Sequence, residues 1–437
     1  MTPGRRTLLA VLAAASFAAL AAIVVAERPR PIVLRGAAAA RAIAIRHASV
    51  VPMDSERVVT GQTVLVVDGR IAAVGPDGLF PVPADAVLYD AGGAYVVPGL
   101  VDMHVHVRSA DMAAYLDNGV TSVRNMWGFT ALPPFIAKIE SGEVAGPTIY
   151  SASPGLDANP VSWPQTQIVE DPALADGVVA AQVAAGWRFV KIYNQLSPEV
   201  FDAIVLSART RGIPVVGHVP FAVPVEHALD SGMASIEHLT GYGVAVTTDS
   251  NAGPANSWIH VDASRMPALA ARTAAAGTWN CPTMSVIEFL TRSVDPATRS
   301  ATLGNRALMV GALHDAGARL LAGTDSGIGY TDAGTSLHDE LADLVGAGLT
   351  PYEAIRAATS GAAEFLGAQD DIGTISAGKR ADLLVVAGNP LADVAALRRP
   401  TLVMRRGAWL VPGAARSAQP PARSGRSPRD VARPHED

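Results

Sequence analysis

The chain has 437 residues, 49% apolar, 17% charged and 5% aromatic, and its 34 basic and 40 acidic side chains leave a net charge of −6. That balance excludes a disordered polyampholyte, a collagen-like chain and a multi-span membrane protein, and it carries no footprint of a nucleic-acid binder. A single cysteine, Cys281, excludes an intramolecular disulfide and a cysteine-rich zinc site, though not export.

In chain order, Arg5 and Arg6 precede an uncharged apolar run, Leu8 to Ala26, which ends on small residues. Residues 1–26 therefore read as a secretory signal peptide, or as an uncleaved N-terminal anchor, because the run is long enough to span a bilayer. The protein is expected to be exported, periplasmic or extracellular, with the membrane touched only through such an anchor. Residues 40–97 show short alternating runs between turn signals. Asp68-Gly69, set between Thr63–Val67 and Ile71–Val74, is a strong hairpin signal. Residues 373–412 repeat the pattern, with Asp382–Val386, Leu402–Met404 and Trp409–Val411 as the apolar runs. The two patches read as parts of one small β-sandwich that the chain leaves and later rejoins.

Between them, residues 98–372 alternate β-like runs with helical patterns such as Pro198–Arg211. The expected strands are Val101–His106, Thr121–Asn125, Thr148–Ala152, Phe189–Tyr193, Val215–Val219, Ser235–His238, Thr278–Pro282 and Arg319–Gly323. Eight strands over roughly 270 residues fit an α/β fold of the (β/α)8 TIM-like barrel type. The rival, a doubly wound open sheet, lacks a Gly-rich phosphate loop after its first strand. Residues 413–437 interleave Pro, Ser and Arg with almost no bulky apolar residues and read as a disordered tail.

In barrel enzymes the chemistry sits at the C-terminal ends of the strands. Here those ends carry His104 and His106, Lys191, His218, His238 and Asp325. Alternate strand residues share a face, so both imidazoles of the first pair point into the mouth. Each group has an ordinary explanation alone; five strand ends carrying such groups together do not. Arg124 and Tyr242 lie just past strand ends, where a substrate carboxylate or carbonyl would be gripped. His227, His314 and His338 fall in helical stretches, His47 and His260 have no evident partner, and Cys281 reads as a packing residue.

Several segments resemble the amidohydrolase superfamily, most closely its imidazolonepropionase-like and dipeptidase-like members. They are Tyr95–His106 (YVVPGLVDMHVH), Ala322–Ser326 (AGTDS), Gly348–Thr359 (GLTPYEAIRAAT) and Gly373–Leu383 (GTISAGKRADL). The resemblance implies two divalent metals, zinc above all, with manganese or iron as alternatives. It assigns His104, His106 and Asp325 to one metal and His218 and His238 to the second. Lys191, carboxylated by CO₂, would join the two. A metal-bridging hydroxide would attack a C–N bond of a small amide or dipeptide-like substrate, and Asp325 would carry the proton to the leaving amine. Deaminases of the superfamily usually place a glutamate three residues after the fifth-strand histidine and lack the fourth-strand lysine. Here that position is Phe221, and Lys191 is present. A lactonase or esterase using the same site, and a non-catalytic binding barrel, remain as alternatives. The segment Ser151–Pro160 lacks the histidine-containing sequence common in dipeptidase-like members, so peptide specificity does not carry over.

Overall fold

A computed structural model describes residues 42–410. The expected export segment, 1–26, and the expected tail, 413–437, lie outside the described residues. Among the described residues, no helix is long and apolar enough to cross a membrane.

The first strands are β1 (Ala42–Val50), β2 (Val59–Val67), β3 (Arg70–Pro76), β4 (Val87–Asp90) and β5 (Tyr95–Pro98). Asp68 and Gly69 make the expected hairpin turn between β2 and β3, with φ of 48° and 79°. Positive φ at both central residues is what a turn matched to the strand twist requires. The middle of the chain supplies β6 (Leu100–Val105), β7 (Val120–Asn125), β8 (Thr148–Ser151), β9 (Leu156–Asp157), β10 (Gln167–Ile168), β11 (Val190–Ile192), β12 (Val215–Gly217), β13 (Ser235–Glu237) and β14 (Trp279–Cys281). The far end returns as β15 (Leu383–Val386), β16 (Leu402–Arg405) and β17 (Ala408–Leu410).

Strands from both ends of the chain lie in one eight-stranded sheet of order β17-β16-β15-β5-β1-β2-β3, with β4 paired to β1. Within it β1 pairs antiparallel with β2 and parallel with both β4 and β5.

The middle strands are parallel, in a three-stranded sheet β6-β7-β8 and a six-stranded sheet β10-β9-β11-β12-β13-β14. Bridges Ala152–Phe189, Asn280–Leu320 and Val105–Ser326 link these pieces into a TIM-barrel-like arrangement. The two-residue strands β9 and β10 were not foreseen. The expected strand Arg319–Gly323 is reduced to the bridge at Leu320 and to bonds such as Met103 N–H to the Ala322 carbonyl, 2.9 Å. Just beyond it, the buried Asp102 carboxylate takes the backbone N–H of His104 (3.2 Å) and of Thr324 (3.1 Å). The helix Pro198–Thr210 forms as expected and buries Val200, Phe201, Ile204, Val205 and Ala208 against the strands.

The two units share a seam. In β15, Leu383 and Val385 join the apolar core of the eight-stranded sheet, while Leu384 and Val386 join the larger core around the parallel strands. Strand alternation thus gives β15 two cores at once. Leu384 is fully buried, so Leu384→Ala removes three carbons' worth of packing at the junction. A loss of about 2–5 kcal/mol is expected in chemical denaturation. An unchanged unfolding midpoint would show that the seam does not couple the two units.

Candidate metal centre

The six residues singled out at strand ends come together at one mouth. His104 and His106 project from the end of β6 with ring centroids 5.6 Å apart. His104 lies 4.5 Å from His238, and His238 4.9 Å from His218, centroid to centroid. Asp325 Oδ1 is 2.9 Å from His106 Nε2 and 3.3 Å from His104 Nε2. One ligand atom from each of His104, His238 and Asp325 falls within 4.8 Å of the others. Lys191, in β11, is 1% exposed and interacts electrostatically with Asp325 and with His106, His218 and His238. Gly217 makes room for it. A Cβ there would stand 2.3 Å from the Ile192 carbonyl oxygen and 3.0 Å from Lys191 Cδ, and its φ of 130° suits only glycine.

Three of the imidazoles are held from behind through Nδ1. His104 donates to Glu237 Oε2 (2.8 Å), His218 to Asn194 Oδ1 (2.8 Å), and His238 to Thr283 Oγ1 (2.6 Å). The Thr283 hydroxyl gives its own proton to the Pro282 carbonyl (2.8 Å), which leaves its oxygen as the acceptor. With Nδ1 carrying the proton, Nε2 keeps its lone pair for the mouth.

Burial pushes the His238 imidazole down to about 3, and it pushes those of His106 and His218 down as well, so all three are neutral near pH 7. Burial works against the charge of Asp325, but the surrounding imidazoles, His238 and His104 first, outweigh it and hold the carboxyl well below its usual range. Burial also brings Lys191 down to about 8, against the opposing pull of Glu237 and Asp325. Neutral imidazoles with an anionic carboxylate are a metal-ligating set rather than a charged network.

Two expected substrate contacts are corrected. Arg124 is fully buried beneath the centre. Its Nε donates to the Met103 carbonyl (2.6 Å), Nη1 to Ser235 Oγ (2.9 Å) and Nη2 to both oxygens of Glu237 (2.9 Å each). It reaches the site only through Glu237 and His104. Tyr242 is also fully buried, its hydroxyl shared with Thr273 at 2.9 Å, because the chain turns at Gly241 into a short helix that returns the ring to the core. His338 is buried too, its Nε2 3.0 Å from the Asn118 carbonyl. His47 has a partner after all, Asp90, at 2.9 Å. Cys281 is buried and packs against the barrel core as expected.

Glu237 escaped the sequence reading, although Ser235 and Glu237 share a parity in β13, and a carboxylate on the inward face of a strand is a signal in itself. An aromatic wall was missed as well. Trp163 stacks on His106 (5.5 Å, 5° between planes) and donates its indole N–H to the Tyr193 hydroxyl (2.7 Å). Trp127 packs against both rings, and Tyr193 lies 4.2 Å from His218.

The Arg124–Glu237 pair makes a direct prediction. Arg124→Met leaves a carboxylate buried without its guanidinium, which costs about 3–5 kcal/mol. The double variant Arg124→Met/Glu237→Gln should recover part of that loss in urea denaturation. Glu237→Gln alone should weaken metal affinity by about 10–100-fold, since His104 loses its charged support. Additive losses in the double variant would mean that the two groups act separately.

Residues 95–410 match the Amidohydrolase family. The chain is 26% identical to a Bifidobacterium longum protein assigned as a prolidase, with a TM-score of 0.70 over 85% of this chain and 95% of that one. It is 28% identical to a bottromycin amidohydrolase, TM-score 0.70, over 86% of this chain and 88% of the other. An adenine deaminase from Chelativorans sp. (strain BNC1) is 30% identical over 193 residues, 40% of this chain and 32% of that protein. The chain spans about a third to a half of the length of the Chelativorans and Rhizobium adenine deaminases that it matches. With most of its length matched, the chain belongs to the amidohydrolase family.

Proposed function

We propose that the protein is a two-metal hydrolase that cleaves a C–N bond in a small amide or peptide-like substrate. The observation that carries this is the convergence of four histidines, Asp325 and the buried Lys191 on one mouth. In this reading the parallel strands form a complete (β/α)8 barrel whose eighth member is 319–323. The strands of 40–97 and 373–412 form its flanking β-domain.

The donor set suits zinc best, with manganese and iron also compatible. His104, His106 and Asp325 would hold one ion, and His218 and His238 the other. Lys191, once carboxylated, would serve both. Its pKa of about 8 leaves roughly a tenth of the amine neutral at pH 7, and only the neutral amine adds to CO₂, losing one proton as the N–C bond forms. Bound ions would polarise the substrate carbonyl and acidify water.

The chain's own groups divide the remaining work. The Asp325 carboxylate takes a proton from the attacking water and delivers it to the leaving nitrogen. The Tyr193 oxygen accepts from Trp163, so its own O–H is free to donate to the substrate oxygen. Burial pushes that phenol up, which keeps the donor proton in place. Adenine deaminases among the relatives raise deamination as an outcome to test, but Phe221 offers no acid where such enzymes usually carry one. Export through residues 1–26 belongs to the same proposal, and a mature start near Glu27 in the intact mass would support it.

The decisive experiment measures metal content beside turnover of dipeptides, N-acyl amino acids, paired esters and adenine. The wild type should hold close to two divalent metals and hydrolyse an amide, and Lys191→Ala should lose at least one metal. Asp325→Asn should lose about 10²–10⁴ in turnover while remaining folded. A single metal unaffected by Lys191→Ala, or turnover of adenine alone, overturns the proposal.

A further inference from the structure

A second cavity, of about 260 Å³, opens beside the His218 and His238 edge of the centre. Val219 and Leu239, the residues that directly follow those two histidines, line it together with Phe221, Val244 and Trp258. Phe221 and Val244 are 52% and 48% exposed, so large apolar side chains face solvent at its rim. Isolated exposed apolar residues are ordinary, but two at the rim of an apolar cavity mark a binding face.

Two ionisable groups line this cavity, Glu226 and Arg306, and they do not pair. Arg306 comes from the helix Pro296–Asp315. Its Nη1 donates to the His238 carbonyl at 2.8 Å, and its guanidinium lies 4.8 Å from the centre of the Trp258 ring. Its Nε is buried without an acceptor. Arg299, Arg405 and Arg406 also have an unpartnered buried Nε, but each of them faces a carboxylate, Glu288 for the first and Glu140 for the other two. Arg306 has no carboxylate among the described residues. A guanidinium offers five N–H donors in a fixed fork that matches a carboxylate. Here one aromatic face and one carbonyl hold the guanidinium in position, and Arg306 lines an apolar space with no carboxylate facing it.

We propose that this cavity binds the apolar, carboxylate-bearing end of the substrate, with Arg306 as the residue that recognises the carboxylate. The assignment of that ligand to a substrate rests on the hydrolase reading; the binding chemistry does not. The class it selects is an amide of an apolar amino acid with a free carboxylate. A neutral amide or an amine of the same shape leaves the Arg306 fork without a charged partner and gains only the apolar contacts.

The test uses metal-loaded protein and calorimetric titration with hexanoate and with hexanamide, which share an alkyl chain and differ in charge. Hexanoate should bind at least about tenfold more tightly than hexanamide. Arg306→Gln should abolish that preference, whereas Arg306→Lys should keep part of it. Val244→Glu, a change at an exposed position that does not threaten folding, should repel hexanoate from the same cavity. Equal binding of the two probes overturns the proposal. So does a preference for hexanoate that survives both Arg306→Gln and Val244→Glu, because the carboxylate is then held by the metals. No turnover is needed, so a protein that shows the Arg306-dependent preference but hydrolyses no amide keeps the cavity and loses the hydrolase reading.

Discussion

The centre depends on a charge pair that never meets solvent. Arg124 and Glu237 are both fully buried, and each satisfies the other's desolvation. Taking either charge out of water alone is costly, so the pair is stable only as a pair. Its geometry sets what lies above. Glu237 splits its oxygens between the guanidinium, Ser235 Oγ and His104 Nδ1, and the last of these turns Nε2 of His104 toward Asp325. Arg124 in turn ties β7 to the Met103 carbonyl of β6 and to Ser235 of β13. One cation beneath the centre therefore links three strands and, through Glu237, orients His104.

Above that pair the electrostatic balance is narrow. Three imidazoles are neutral, Asp325 is anionic, and Lys191, brought down to about 8, is still mostly charged near pH 7. Neutral imidazoles are what the proposed dications would need, since none would have to give up a proton first. Burial brings Lys191 down to about 8, the feature on which the proposed carbamate rests.

Much of this was legible in the sequence because it lies on periodic elements. The HxH pair, Lys191, His218, His238 and Asp325 sit at the ends of apolar runs whose alternation places them in the mouth. The first seven expected strands of 98–372 appear where the runs predicted them, with ends moved by a residue or two. What was not legible depends on contacts between distant segments. Arg124 finds Glu237 across 113 residues of sequence, so its position just past an apolar run pointed to substrate instead. Tyr242 was read as facing the mouth, but the positive φ of Gly241 redirects it into the core. The expected eighth strand keeps only isolated backbone bonds, such as Leu321 N–H to the Asn280 carbonyl (2.8 Å) and Ala322 N–H to the Ala357 carbonyl (3.2 Å). Trp163 lies in a loop with no periodicity at all, and only the fold brings it onto His106.

Backbone strain marks the same place from another direction. His238, Leu239, Thr283 and Asp325 all adopt positive φ, between 50° and 58°, without being glycine. Each such residue costs of order 1–3 kcal/mol and persists only where its surroundings over-determine it. The surroundings here do so. The His238 N–H bonds to the Cys281 carbonyl (2.9 Å), its Nδ1 to Thr283, and its carbonyl to Arg306. The Asp325 N–H bonds to the His104 carbonyl (2.8 Å), and Gly327 follows so closely that a Cβ would stand 1.7 Å from the His106 carbonyl oxygen. Strain held in this way fixes two ligands at angles that a relaxed strand end would not supply. It also explains why Arg306 can serve two purposes: one donor secures a strained ligand, and the rest of the fork remains for what enters the neighbouring cavity.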